Sequence, residues 1–361
     1  MSSKHTFPYE PDVVTPPGEM LQEVLEERGM TQAELAGRLG RTRKTVNEIV
    51  KAKAPLLPET ALQLERVLGI PARFWSNAEA NYRQSIARQK ENERLADQSC
   101  RLQELPVKQL IQANWVPRHA DAVAQLRAVL QFFGVASLEA LTRMHNERCV
   151  AFRQSKAHPA NSYAVMAWLR TGELQAQQIP CAAFDAKAFR RALADIRRLC
   201  RHSVPKVAAE MQRLCAASGV ALVYVPEITG CRAWGVTHWV SPEKAILQLS
   251  LRGKSDDHFW FTFFHEAAHI LLHPRKDTFL ERQGERDKRE KEADRFATEI
   301  LVPPPAWAPV AHARPRSALA MQTWAERLNL APGILVGRLQ HEKMLPFTYL
   351  NGLKIKLHFA D

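Results

Sequence analysis

FTFFHEAAHILLH, residues 261–273, is an apolar helical run interrupted by three histidines and a glutamate. A helix that is apolar on every side is buried on every side. Ionisable groups placed there cost several kcal/mol unless something satisfies them. His265 and His269 are four residues apart and so share one helix face, about one turn apart, with Glu266 beside them. This is HExxH, the spacing that lets two imidazoles hold one zinc while the glutamate reaches the water to be activated. The plain alternative is a core helix whose polar groups find ordinary partners, but a single Zn2+ ion gives all of them a charged partner at once. His273 continues the series ~12 Å along the helix from His265, too far to share the same metal. It is expected to back one of the ligands or to cap the helix end.

A catalytic zinc keeps one position open and needs a third protein ligand. REKEADRFATEIL, residues 289–301, provides the candidates. On a helix at about 100° per residue, Ala293, Phe296, Ala297, Ile300 and Leu301 form the inward stripe. Glu290 falls inside its arc, Glu292 points away beside Arg295 and Glu299, and Asp294 lies at its edge. Glu290 is therefore the expected third ligand, with Glu292 the alternative, and Asp294 is placed to orient a metal-bound histidine.

Outside this pair of helices the pattern changes twice. GVALVYVP (219–226), RAWGVTHWV (232–240) and KAILQLSL (244–251) are short, aliphatic and β-branched, and read as a small sheet. His238 and Tyr224 on these strands are candidate donors to a transition state. Residues 274–289 read as a charged loop. The helix after it ends before Pro303, and 316–340 read as two further helices. TWAERLNLAPGILVGRLQHE (323–342) has a helix-turn-helix outline but no basic second helix, so packing is its expected role.

Residues 72–105 contain neither Gly nor Pro and read as a long exposed helix, followed by a mostly helical stretch to 217. Within it, DAKAFRRALADIRRLCR (185–201) carries Lys187, Arg190, Arg191, Arg197, Arg198 and Arg201 on one stripe and Phe189, Ala192, Leu193, Ile196 and Leu199 on the other. Such a stripe is usually a solvated face, and otherwise a phosphate contact or a dock for an acidic partner.

Near the N-terminus, TQAELAGRLGRTRKTVNEIVKAKA (31–54) combines a capping box, Thr31 with Glu34, and a turn at Gly40. Thr42 then caps a second helix whose Val46, Ile49 and Val50 face inward. Two short helices joined this way form a helix-turn-helix unit, whose second helix can enter a major groove. Gln32, Arg41, Thr42, Arg43, Lys44, Asn47, Lys51 and Lys53 are the candidate DNA-binding residues. Arg and Asn can read base edges, and the lysines can meet phosphates. The net charge of +12 and pI near 9.6 are compatible with double-stranded DNA as partner.

The six cysteines are scattered with no CxxC pair, which suits reduced thiols and argues against a cysteine-ligated metal. No apolar leader or charge-free membrane-length run is visible. The expected setting is cytoplasmic, with no membrane partner.

Two resemblances follow. The stretch from PPGE through ETALQLERVLG and Phe74-Trp75, about residues 9–83, resembles the HigA-type antitoxin branch of the Xre-like helix-turn-helix proteins. That likeness implies operator binding as a homodimer. HEAAHILLH, the charged loop and EKEADRFATEILVP, about residues 205–305 with the strands, resemble the ImmA/IrrE zinc metallopeptidases. This implies a thermolysin-like minimal core with His265, His269 and Glu290 on zinc, Glu266 as catalytic base, and a DNA-binding repressor as the kind of substrate cleaved. LPVKQLIQANW (105–115) suits a known subgroup that fuses the two modules.

The expected fold class is mainly α with a small α+β domain. It comprises an extended segment 1–15, a five-helix helix-turn-helix domain 16–76, a helical middle region 77–204, a metallopeptidase domain with a small sheet 205–310, and a helical extension 311–361. The expected function is an antitoxin-like transcriptional regulator carrying a zinc endopeptidase that acts on a repressor, a toxin partner or itself. The competing reading is a non-proteolytic antitoxin or repressor whose peptidase-like domain is a sensor or interaction module. A purely structural zinc staple would want a fourth ligand, and no cysteine lies near.

Overall fold

The structure, a computed structural model, describes residues 14–153, 162–273 and 283–359. The lead-in up to residue 13 and the stretch 274–282 of the charged loop lie outside the described residues. The chain divides into two compact units, Met1–Ser99 and Cys100–Asp361.

Among the described residues the first unit holds five α-helices: α1 (Pro17–Glu27), α2 (Gln32–Leu39), α3 (Arg43–Val50), α4 (Pro58–Leu68) and α5 (Ala72–Gln98). Helix α2 opens on the capping box: Thr31 Oγ1 accepts from Glu34 N at 3.2 Å, and Thr31 N donates to Glu34 Oε2 at 2.8 Å. It ends at Gly40 in the left-handed region, φ 64°, where glycine carries no Cβ penalty. Thr42 then caps α3 through its hydroxyl. Leu21, Leu25, Leu35, Val46, Ile49, Leu64 and Trp75 close the core of this unit. Gly18, from the PPGE stretch, lets α1 press on the end of α3: a Cβ there would lie 2.2 Å from Ile49 O and 2.4 Å from Val50 O.

The second unit begins with α6 (Val107–Gln112), α7 (Ala122–Phe133), α8 (Leu138–Arg153), α9 (Ser162–Gln177), α10 (Ala186–Leu199) and α11 (Val204–Ala216). A three-stranded sheet follows, β1 (Val220–Tyr224), β2 (Gly235–Ser241) and β3 (Lys244–Leu249), in the order β1-β3-β2. β1 runs parallel to β3, with Leu222 opposite Leu247; β2 runs antiparallel to β3, with Thr237 opposite Leu247. β1 and β3 are buried along nearly their whole length, whereas β2 is a half-exposed edge.

The histidine stretch lies in α12 (Asp256–Leu272), followed by α13 (Gln283–Leu301), α14 (Pro304–Ala313), α15 (Ala318–Arg327) and α16 (Pro332–His341). α12 packs on β2 and β3 and against α13 and α16, which is why it is apolar around most of its circumference. Trp260, Phe263, Phe264, Ala267 and Ala268 are fully buried, each large side chain contributing about 1.5–3 kcal/mol. Asp256 and Asp257 occupy its first turn, the positive end of the helix dipole. The surrounding core takes in Phe189, Leu193 and Ile196 of α10 and extends to Leu345 and Leu357.

Four details differ from the sequence reading. α13 starts at Gln283 rather than near 289, because the charged stretch is rich in helix formers and pairs Lys288 with Glu292 at 4.0 Å. The three prolines after α13 open a new helix: Pro303 is the N-cap of α14 and prolines fill its first turn, where a missing N–H costs nothing. Arg197 does not belong to the free basic stripe. It donates to Leu301 O at 2.6 Å, Leu328 O at 3.0 Å and Asn329 O at 3.1 Å, satisfying carbonyls at the ends of α13 and α15. Tyr224 turns its hydroxyl onto α11, toward Ala208 O at 3.4 Å, and so cannot serve as a donor in a cleft over α12.

Candidate metal centre

α12 and α13 lie side by side, and their facing side chains meet at one point. His265 Nε2 is 3.1 Å from His269 Nε2 and 3.2 Å from Glu290 Oε2; His269 Nε2 is 3.8 Å from Glu290 Oε1. A tetrahedral zinc with bonds of about 2.0–2.1 Å separates its ligand atoms by about 3.3 Å. The three donors therefore converge at a spacing that suits such an ion, and they form a possible His/Glu metal site.

The outer nitrogens of both imidazoles are held. His265 Nδ1 lies 2.9 Å from Asp294 Oδ1, a carboxylate that accepts from it, and this turns the ring so that Nε2 faces His269 and Glu290. His269 Nδ1 lies 2.8 Å from His273 Nδ1, whose Nε2 is 3.5 Å from Glu292 Oε2. Glu292 thus faces His273 rather than the convergence point. His273 is also the C-cap residue of α12.

Electrostatics favour a cation here. Burial lowers the basicity of His265, but the bonds to Asp294 and Glu290 outweigh it and hold the imidazole up at about 10. Burial and the nearby His265 hold His269 well below the ordinary imidazole value. A cluster that retains a proton between two imidazole nitrogens and a carboxylate is suited to hold a positive ion in its place.

Glu266 is only 8% exposed. Burial pushes its carboxyl up to about 7, against the opposing pull of His265 and of a hydrogen bond from Thr237. Gly235 on β2 makes this close packing possible, since a Cβ there would lie 2.7 Å from Glu266 Cγ and 2.9 Å from its Oε1. Gly235 and Thr237 are site residues that sequence reading passed over. Strand alternation was the available signal: with Gly235 and Thr237 toward α12, His238 between Thr237 and Trp239 points to the other face of the sheet.

In the first unit, Arg43, Lys44, Lys51 and Lys53 are exposed on or beside α3, and Asn47 is half-buried. The remaining candidates are engaged within the fold. Gln32 Nε2 donates to Gln22 Oε1 at 2.9 Å, Arg41 Nε to Gln63 Oε1 at 2.9 Å, and the Thr42 hydroxyl caps α3.

Comparison with known proteins agrees with this division. Residues 235–340 match the family described as IrrE N-terminal-like domain, and residues 21–75 match the family described as Helix-turn-helix. The chain thus carries an ImmA/IrrE-type metallopeptidase domain and a helix-turn-helix DNA-binding domain. Among solved structures, a putative antidote protein of a plasmid maintenance system from Nostoc punctiforme is similar over 23% of this chain and 91% of that one, at 24% identity and a TM-score of 0.23. An addiction module antidote protein of the HigA family from Coxiella burnetii is similar over 23% of this chain and 92% of its own, at 26% identity and a TM-score of 0.22. No curated protein matches the chain. Among the described residues, no helix is long and apolar enough to cross a membrane.

Proposed function

We propose that this protein is a cytoplasmic transcriptional regulator that binds operator DNA as a homodimer and carries a zinc endopeptidase in the same chain. The peptidase hydrolyses a peptide bond in a repressor, a toxin partner or the chain itself. The carrying observation is the convergence of His265 Nε2, His269 Nε2 and Glu290 at one point, with the buried Glu266 beside them.

In this reading His265, His269 and Glu290 hold Zn2+, Asp294 and His273 orient the two imidazoles, and Glu266 is the base. Zinc, when bound, supplies a Lewis acid that acidifies water and polarises the scissile carbonyl. Glu266, with a carboxyl near neutrality, is matched to take a proton from the attacking water and return it to the leaving amine. The Thr237 hydroxyl and the absent side chain of Gly235 hold the Glu266 carboxylate in position. The half-exposed edge β2 offers its backbone to an extended substrate. At the other module, Arg43, Lys44, Asn47, Lys51 and Lys53 meet DNA, with Gln32, Arg41 and Thr42 placing the recognition helix.

Glu266→Gln tests the catalytic assignment. The variant is expected to retain zinc and lose cleavage of any protein that the wild type cuts. Cleavage at the wild-type rate by this variant would remove Glu266 from the mechanism.

A further inference from the structure

Helix α10 has an exposed face that neither the metal centre nor the recognition helix uses. Lys187, Arg190, Arg191, Arg198 and Arg201 are all exposed, while Phe189, Leu193 and Ile196 on the opposite side are buried in the core and fix the helix in place. Elsewhere in the second unit, Arg213 pairs with Glu210 at 2.6 Å and Arg295 with Glu299 at 2.7 Å, each with an acid one turn away. α10 is more heavily cationic. At helical spacing Lys187 neighbours Arg190 and Arg191, like charges that destabilise a helix, and Arg201 follows just past the C-cap Cys200. Of these only Lys187 sits in the first turn, at the positive end of the helix dipole, where the N-cap Asp185 accepts from Ala188 N. One acid, Asp195, answers Arg198 at 2.6 Å. A helix that retains this much self-repulsion gains it back where an anion lies across the stripe.

We propose that this face of α10 is a second DNA-contacting surface, which grips the sugar-phosphate backbone through Lys187, Arg190, Arg191, Arg198 and Arg201. Four of the five are arginines, whose planar forks bind phosphate in bidentate fashion. From Lys187 to Arg198 the helical part of the stripe is about 16 Å long. That covers about five base-pair steps of a duplex. Phosphate contacts carry no base preference, so the face adds affinity and leaves sequence choice to α3. The inference goes beyond the helix-turn-helix module and is independent of the peptidase reading.

The test is the salt dependence of DNA binding by the full chain, read by fluorescence anisotropy on an arbitrary duplex of about 30 bp between roughly 50 and 200 mM KCl. The triple variant Arg190→Gln, Arg191→Gln, Arg198→Gln is expected to bind with a log–log salt slope shallower by about 2.7, at about 0.9 per phosphate contact. Over that fourfold salt range the wild type then loses about 40-fold more affinity than the variant. The corresponding triple Lys variant is expected to keep the wild-type slope. Lys187→Gln with Arg201→Gln, at the two ends of the helix, is expected to lower it by about 1.8. Lys44→Gln on α3 serves as the comparison that reports the first module alone. Unaltered slopes in both α10 variants, with a shallower slope for Lys44→Gln, would overturn the proposal while leaving the helix-turn-helix reading intact; the stripe would then be assigned to an acidic protein surface. A wild-type chain that binds no duplex overturns both.

Discussion

Removing Asp294 separates a designed metal site from a chance meeting of polar groups. Its Oδ1 lies 2.9 Å from His265 Nδ1, and its side chain is 54% exposed, so Asp294→Ala leaves the core untouched. What it removes is the acceptor that holds His265 Nδ1 and turns Nε2 toward His269 and Glu290. Outer partners of this kind are worth about 10–100-fold in metal affinity, or about 1.4–2.7 kcal/mol. Asp294→Ala is therefore expected to weaken zinc binding by that factor, measured by competition with a chromophoric chelator. Asp294→Asn, which still accepts the bond but carries no charge, should fall between. Glu292→Ala touches His273 at 3.5 Å and reaches the site only through that second histidine, so its loss should be smaller than that of Asp294→Ala. An unchanged affinity in Asp294→Ala, or a larger loss in Glu292→Ala, would refute both the orientation of His265 and the choice of Glu290 over Glu292.

Three further predictions follow from the packing. Asp256 is 1% exposed, and burial raises its carboxyl from 3.8 to about 6. The folded state then holds more protons than the unfolded state between these values, so this contribution to stability is full below about 3.8 and is lost as pH rises through about 6, up to about 3 kcal/mol. Asp256→Asn, compared with wild type by urea denaturation at acidic and at neutral pH, should be relatively more stable at neutral pH; an equal difference at both pH values contradicts this. Arg197→Ala strips the donor from three helix-end carbonyls and should cost about 3 kcal/mol in thermal unfolding, whereas Arg190→Ala should stay within about 0.5 kcal/mol of wild type. Gly18→Ala drives a methyl into Ile49 O and Val50 O and should destabilise the first unit by about 1–3 kcal/mol and weaken DNA binding; wild-type stability would show that α1 does not bear on α3 there.

The parts of the fold that sequence discloses are those governed by local chemistry. Thr31, Glu34, Gly40 and Thr42 state where α2 and α3 begin and end, because caps and left-handed turns need those side chains within four residues. The sheet was legible from β-branched runs, although its order was not: the direct parallel pairing of β1 with β3, with β2 set on the far side of β3, is a long-range choice. HExxH announces itself by spacing alone. Gly235 and Thr237 did not, since a glycine and a threonine in an edge strand are commonplace until α12 is seen packed beneath them. Arg197 misled for a similar reason. Its position on α10 matches the basic stripe, and only the ends of α13 and α15, more than a hundred residues away, claim its guanidinium.

Zinc content of the purified chain tests the central claim most directly. Wild type, His265→Ala and Glu290→Ala would be prepared side by side without chelator and analysed by inductively coupled plasma mass spectrometry. Wild type is expected to hold about one zinc per chain and both variants to lose it, with helical content retained. A wild type without zinc, or a Glu290→Ala variant that holds zinc as tightly as wild type, would contradict it.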